Sequence, residues 1–140
     1  MSELVELAKK AAVAHGLDPS LVCAVCEQES SWEPSAIRYE PAFYEKYVKP
    51  QNLSPTEAQA RSFSWGLMQI MGQVAREQGF TGRFLAALCD PATAIEYGCR
   101  KLARCLSRAG GDIHNALQYY NGGGNPNYAT QVMNRMEHYQ

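Results

Sequence analysis

Apolar residues recur along this chain at helical spacing, separated by short polar turns. The longest such segment has Ile95, Cys99, Leu102 and Leu106 on one side, so we expect it to be the central element of the core. This periodicity predicts an all-α domain whose helices have the approximate ranges 3–15, 19–31, 55–62, 72–79, 83–89, 91–109, 113–121 and 126–138.

Several of these helices have specific start signals. Asp18-Pro19, Asp90-Pro91 and Asn125-Pro126 each place a capping side chain before a proline at the first helical position. Ser54-Pro55-Thr56-Glu57 combines such a proline with a capping box. The basic side chains of the longest helix are predicted to form a solvated face, which comprises Arg100, Lys101, Arg104 and Arg108.

Two stretches depart from the helical pattern. The segment 34–50 is rich in aromatic residues and proline, which predicts a long ordered loop with at most one short helical turn. In the segment 64–70, glycine and apolar residues surround the single amide side chain of Gln69. A buried amide needs hydrogen-bond partners, which either the backbone or a ligand can supply.

The helical pattern singles out Glu29 as a candidate catalytic residue. It follows Val22 and Cys26 at i+7 and i+3, so the three share one apolar face, whereas Glu27 is expected to point towards water. Burial raises the pKa of a carboxyl group, and an acid that is still protonated near neutral pH can act as a general acid. The structural alternative is a Glu at the rim of the core with its head in solvent.

Composition narrows the class of protein. The 140 residues predict one domain, 1–140, and a formal net charge of −1 does not favour nucleic acid or an anionic membrane as a partner. We expect no transmembrane insertion, no secretory signal, synthesis in the cytoplasm and a monomer.

The five cysteines are expected to be reduced, small buried side chains. Cys23 and Cys26 form a C-x-x-C pair, but they lie inside a helix and have no second ligand pair at matching spacing. We therefore expect no metal and no cofactor.

Three short motifs occur in a defined order along the chain. They are Glu29-Ser30 with Pro34, then Gly66-Leu67-Met68-Gln69-Ile70, then Tyr119-Tyr120-Asn121-Gly122-Gly123. This set resembles the lytic transglycosylases of glycoside hydrolase family 23, which are related to goose-type lysozymes, and the resemblance runs from about residue 21 to residue 128. It implies a lysozyme-like, mainly helical domain, with or without a minimal β element near the cleft.

The resemblance also implies roles for individual residues. Glu29 would be the general acid and base, and Ser30 would hold the local geometry. Gln69 and the backbone around Met68 would bind the N-acetyl and hydroxyl groups of a sugar. Tyr120 would hydrogen-bond Glu29 or the substrate, Asn121 would shape the turn, and Tyr128 matches an aromatic of the last motif. As structural alternatives, Ser30 is a cap, Gln69 is satisfied by backbone, residues 120–123 are a turn and Tyr128 belongs to the core.

By this resemblance the substrate is the glycan strand of peptidoglycan. Glu29 would protonate the β-1,4 oxygen between N-acetylmuramic acid (MurNAc) and N-acetylglucosamine (GlcNAc), with the substrate's N-acetyl group stabilising the anomeric carbon. The carboxylate would then deprotonate the C6 hydroxyl of MurNAc, which gives a 1,6-anhydro product. The small domain without a signal resembles a phage endolysin that reaches the wall after release.

Three alternatives stay open at this point. The first is a hydrolytic, goose-type lysozyme, which has an Asp directly after its G-L-M-Q-[IV] segment, where this chain has Met71. In that case Glu40 is a possible second carboxylate that could activate water. The structural alternative is that Glu40 is solvated or paired with Arg38. Related enzymes cleave chitin. A wall-binding module with this fold would be expected to lack the acid, which is present here.

Overall fold

The body of the protein is helical and is built around the helix that contains Glu29. A computed structural model describes residues 2–140. In it α2 (Pro19–Ser30) contacts α1 (Ser2–Ala14), α8 (Tyr128–Arg135) and a closing 3-10 turn (Met136–Tyr139). Residues 20–26 are all buried, so α2 is enclosed on every side and only its last turn reaches the cleft. Val22 and Cys26, which share a helical face with Glu29, are fully buried, and the residues on the other faces of α2 along this stretch are buried as well.

The longest helix has the apolar stripe that its sequence predicts. It is α6 (Pro91–Arg108), which buries Ile95, Cys99 and Leu102 and packs against α1 and α7 (Ile113–Asn121). Leu106, at the end of the stripe, is only partly buried. The core thus has two central helices, α2 and α6.

A small antiparallel sheet flanks the helical body, as the resemblance allows. Its strands lie in the order β1, β2, β3, with Arg38 opposite Ser64 and Ser64 opposite Met71. The remaining elements are β1 (Ile37–Tyr39), α3 (Pro41–Phe43), α4 (Pro55–Arg61), β2 (Phe63–Trp65), β3 (Ile70–Met71), α5 (Gly72–Glu77) and a 3-10 turn (Leu85–Cys89). The mainly helical, lysozyme-like class is confirmed.

Segment 34–50 has more regular structure than its composition predicts. After β1 and α3 it continues as a π-helical turn (Tyr44–Val48) and a 3-10 turn (Lys49–Gln51). The Phe43 and Tyr47 rings pack with their centroids 4.9 Å apart, so the aromatic residues stabilise one another within these short turns.

The predicted capping residues are present at some helix starts and absent at others. Asp18 accepts a bond from the Ser20 N–H at 2.8 Å, and Asp90 accepts one from the Thr93 N–H at 3.1 Å, so both predicted caps are confirmed. The prediction of a capping box at Ser54 is wrong. Ser54 makes no capping bond among the described residues, and Glu57 instead pairs with two arginines. Helix α8 begins at residue 128, two residues later than predicted.

Buried side chains form two clusters, one on each side of the cleft. The larger joins α1, α2, α6, α7 and α8, and the smaller lies under the sheet around Ile70, Leu85 and Leu88. All five cysteines are free thiols; Cys23, Cys26 and Cys99 are buried, as expected, whereas Cys89 and Cys105 are partly buried. Among residues 2–140, no helix combines the length and the apolar character needed to cross a membrane.

Candidate active site

A cleft of about 780 Å³ separates the helical body from the sheet. Six of the residues predicted for the site line it, namely Glu29, Glu40, Gln69, Tyr120, Asn121 and Tyr128. The other two, Ser30 and Met68, lie behind the wall and hold its parts together. Strand residues Arg38, Ser64 and Met71 line the opposite side of the same cleft.

Glu29 is positioned by the last turn of α2 and by one strong hydrogen bond. The Tyr128 hydroxyl donates to Glu29 Oε2 at 2.5 Å. Burial raises the pKa of Glu29 above its ordinary value, although the bond from Tyr128 and the charges of Lys101 and Arg38 act in the opposite direction. The site therefore favours the protonated acid while keeping partners ready for the carboxylate.

The tyrosine that hydrogen-bonds Glu29 is Tyr128; Tyr120, expected to bond either Glu29 or the substrate, makes no hydrogen bond to Glu29 among the described residues. Tyr120 is 3% exposed, and its hydroxyl donates to the Met68 carbonyl oxygen at 2.7 Å. The two tyrosine rings are nearly parallel, with centroids 6.5 Å apart. Tyr120 therefore supports the ring of Tyr128 from behind. Burial and the neighbouring Glu29 raise the pKa of Tyr128, so its hydroxyl remains a proton donor.

Ser30 links α2 to the turn of the second motif. Its Oγ lies 2.9 Å from the Cys26 carbonyl oxygen and 2.8 Å from the Leu67 carbonyl oxygen. Behind this turn, Met68 packs against Gly98, where a Cβ atom would lie 2.3 Å from Met68 Sδ. These contacts hold the turn of residues 66–69 against α2 and α6.

The Gln69 amide is fully bonded within the protein. Its Nε2 donates to the carbonyl oxygens of Ala36 at 2.9 Å and Gly66 at 3.0 Å, and its Oε1 accepts from Ser64 Oγ at 2.9 Å. Its backbone has φ +50°, in the left-handed region. This matches the alternative in which backbone groups satisfy the buried amide. Gln69 therefore fixes this turn while its side chain lines the cleft.

Asn121 closes the third motif. With its amide oxygen turned towards the following loop, it accepts from the N–H groups of Asn125 at 2.8 Å and Gly124 at 3.0 Å. Gly122 follows in the left-handed conformation, at φ +82°, and ends α7. Asn121 therefore shapes the loop that forms one rim of the cleft.

The second carboxylate in the cleft, Glu40, is paired. Its Oε1 lies 3.2 Å from Arg38 Nε, as one of the sequence alternatives expected. Met71 lines the cleft from β3 at the position where the lysozyme pattern has an Asp. Glu40 and Met71 thus lie on the sheet side, facing the helix that contains Glu29.

Lys101 is a cleft residue that sequence reasoning missed. Predicted to be on a solvated face, it lines the cleft, and its Nζ donates to the Tyr120 carbonyl oxygen at 2.9 Å and lies 4.0 Å from the centroid of that ring. Burial lowers its pKa, while the charge of Glu29 opposes this effect. A sequence signal was present, since Ala94, Gly98 and Lys101 form a second inward row at i, i+4 and i+7 of α6.

Glu27 has a different environment two residues earlier on α2. It accepts hydrogen bonds from the Tyr139 hydroxyl at 2.6 Å, from His138 Nδ1 at 3.0 Å and from Arg135. Burial opposes the effect, but these bonds lower the pKa of Glu27 to about 2. The expectation that Glu27 points to water is wrong, because this cluster leaves its side chain only 18% exposed.

Comparison with known proteins identifies one matching family. The sequence model of the family described as "Transglycosylase SLT domain" matches residues 6–138, which is nearly the whole chain. No solved structure gives a significant match to the chain.

Proposed function

Because this chain belongs to the family of transglycosylase SLT domains, we propose that it cleaves the β-1,4 bond between MurNAc and GlcNAc and leaves a 1,6-anhydro ring on MurNAc. Family membership makes the chain a peptidoglycan lytic transglycosylase. The particular bond and the anhydro product are our proposal. The observation that carries the proposal is Glu29, a buried acid of raised pKa that faces a cleft and is bonded to Tyr128 at 2.5 Å.

The first half of the reaction needs an acid. Glu29 transfers its proton to the bridging oxygen, the bond from that oxygen to C1 of MurNAc breaks, and GlcNAc leaves with a new hydroxyl group. The N-acetyl oxygen of MurNAc bonds to C1 and takes up the developing positive charge. Most glycosidases use a second carboxylate for that task. The other carboxylate that lines this cleft, Glu40, is on the sheet side and is paired with Arg38.

The second half needs a base. The carboxylate left on Glu29 accepts the proton of the C6 hydroxyl as that oxygen attacks C1. The bond from C1 to the N-acetyl oxygen breaks in the same step, so the anhydro ring closes, the N-acetyl group is restored and Glu29 is again the protonated acid. Tyr128 supports both states, because its hydroxyl can donate to Oε2 whether or not Oε1 carries the proton. A raised pKa suits a group that must act as an acid and then as a base.

Hydrolysis is the second candidate function, and one observation favours it. Glu40 lines the same cleft as Glu29 and could orient a water molecule towards C1. Two features favour the sugar's own hydroxyl as the acceptor. Met71 offers no oxygen to activate water, and the Glu40 carboxylate is engaged by Arg38 at 3.2 Å.

The test is to digest purified peptidoglycan and to analyse the soluble muropeptides by mass spectrometry before and after borohydride reduction. We expect anhydro ends that borohydride does not reduce. Glu29→Gln should lower the rate by roughly 100-fold or more, since the variant has no proton to transfer. Glu40→Gln is the matched control in the same cleft and should still give anhydro products.

Each alternative outcome points to a different mechanism. Mainly reducible MurNAc ends, lost in Glu40→Gln, would support a muramidase in place of a transglycosylase. Substantial activity in Glu29→Gln would mean that another group is the acid. Cleavage of chitin but not of peptidoglycan would change the substrate, and cleavage of neither would favour a wall-binding module.

The role in phage lysis, with synthesis in the cytoplasm followed by release to the wall, stays a prediction from the sequence. So does the monomeric state. The formal net charge of −1 fits a neutral glycan ligand better than a polyanion.

A further inference from the structure

Lys101 is a partly buried cation that lines the cleft and has no part in the proposed reaction. Its ammonium group is held in place by the 2.9 Å bond to the Tyr120 carbonyl oxygen and by the face of the Tyr120 ring. Within residues 2–140, no carboxylate oxygen lies within 4.0 Å of it. Its charge is therefore fixed in position without being neutralised by a direct ion pair.

The charged groups that face Glu29 come from two elements. Lys101 projects from α6 and Arg38 from β1, and both act on Glu29 through their charge. Arg38 is 75% exposed and already paired with Glu40, so solvent and its partner screen it. Lys101 is partly buried and has no such partner in the described part of the chain, so its charge is screened less. It is thus the dominant cation for Glu29.

The other titratable groups around this pair are neutral at ordinary pH. Cys26 on α2, Tyr120 on α7 and Tyr128 on α8 face Glu29, and burial raises the pKa of each. Cys105 lies near Lys101 on α6, and burial raises the pKa of its thiol as well. The local charge is therefore decided by Lys101 and by the protonation of Glu29.

We propose that Lys101 is a positioning residue whose fixed, partly buried ammonium group stabilises the Glu29 carboxylate that forms when the acid releases its proton. The inference rests on the proposed function, in which Glu29 changes from neutral to negative in the first half-reaction. When the O–H bond of Glu29 breaks, the electron pair stays on the carboxylate, and a fixed cation lowers the energy of that state without any reorganisation. It also holds the carboxylate ready to act as the base.

Removing the charge of Lys101 should shift the pH profile of the reaction towards higher pH. Lys101 lowers the pKa of Glu29, so removing the charge raises that pKa further. The reaction needs protonated Glu29 at its start, and the rate falls as pH rises through this pKa. Without the charge, the alkaline limb of the pH profile moves to higher pH. The maximal rate falls, because the acid is weaker.

The experiment compares wild type with Lys101→Met and with Lys101→Gln, which keeps a hydrogen-bond donor for the Tyr120 carbonyl without the charge. The Glu29 carboxyl is titrated by carbon-13 NMR in the substrate-free protein, and kcat on peptidoglycan is measured against pH. Both variants should show a raised Glu29 pKa, an alkaline limb at higher pH and a fall in maximal kcat of roughly tenfold.

Two controls separate charge from packing. Lys101→Arg keeps the charge and should keep the limb at its wild-type position. Arg104→Met removes a charge from an exposed point of the same helix and should leave both the titration and the profile unchanged. Thermal unfolding of each variant checks that it is folded, and the Gln variant serves if the Met variant is not.

An unchanged Glu29 titration in folded Lys101→Met and Lys101→Gln would overturn the inference, even if the wild type is fully active. A shift of the same size in Lys101→Arg would also overturn it, since packing would then be the cause. A wild type that shows the raised Glu29 pKa but releases no anhydro product would instead overturn the proposed function.

Discussion

Two glutamates on one helix should affect stability in opposite directions. Glu27 and Glu29 lie two residues apart on α2, but Glu27 has a lowered pKa and Glu29 a raised one. Replacing each by Gln removes the charge while keeping the size of the side chain. We expect Glu27→Gln to destabilise the protein at neutral pH and Glu29→Gln to stabilise it.

The size of the Glu27 effect follows from its pKa. A fall from the ordinary 4.5 to about 2 corresponds to about 3 kcal/mol of folding free energy at neutral pH. Two of its partners, Arg135 and His138, are 40% and 59% exposed, so solvent screens part of this interaction. We therefore expect Glu27→Gln to lower the free energy of unfolding by about 2 kcal/mol.

The pH dependence gives each variant a distinct signature. The stabilisation from Glu27 is complete above pH 4.5 and is lost as pH falls towards about 2, so wild type and Glu27→Gln should converge at low pH. Glu29 behaves in the opposite way, because its pKa is raised in the folded state: the unfolded chain releases this proton first, so stability falls as pH rises from 4.5 to the folded pKa. Wild type and Glu29→Gln should therefore match below pH 4.5, diverge as pH rises from there, and keep a constant difference above the folded pKa.

The assay is urea unfolding, followed by circular dichroism at a series of pH values, for the wild type and the two variants. A Glu27→Gln difference that does not change between pH 7 and about 2 would show that packing, not charge, is responsible. A Glu29→Gln variant that is less stable than wild type at neutral pH would refute the argument that the acid is held in an unfavourable environment.

Two further substitutions test the construction of the cleft. Tyr128→Phe removes the 2.5 Å bond to Glu29. A bond to a charged group contributes about 1.5–3 kcal/mol, so kcat should fall by roughly 10- to 100-fold with little change in KM; initial rates measure this, and a change below about twofold would contradict it. Gly98→Ala places a Cβ 2.7 Å from Met68 Cβ. It should destabilise the protein by about 1–3 kcal/mol in thermal unfolding. Gly124→Ala, at an open position, is the control.

The long helices were predictable because local chemistry and hydrophobic period agree there. The predicted starts of α2 and α6 match the structure, since Asp18 and Asp90 cap them as expected. The strands were not predictable one by one, because they contain two or three residues and no period can be read from so few. They are held by tertiary contacts, such as the Gln69 bonds to the turn and to Ala36.

The sequence identified most residues of the site, but it did not predict which of them contact one another. Glu29 and both tyrosines were candidates from the sequence, but which tyrosine reaches the acid depends on how α7 and α8 pack. Lys101 and Glu27 were both misjudged for one reason. A charged residue was assigned to solvent, whereas in each case a distant segment covers it, residue 120 for Lys101 and residues 135–139 for Glu27.

The bond between Tyr128 and Glu29 joins positions that are 99 residues apart. During synthesis on the ribosome, Glu29 emerges long before the helix that supplies its partner. Until α8 docks on α2, Glu29 lacks the Tyr128 hydroxyl group as its hydrogen-bond donor. Catalytic activity therefore requires the completely folded protein. Local opening of the α8 segment should inactivate the enzyme well before global unfolding.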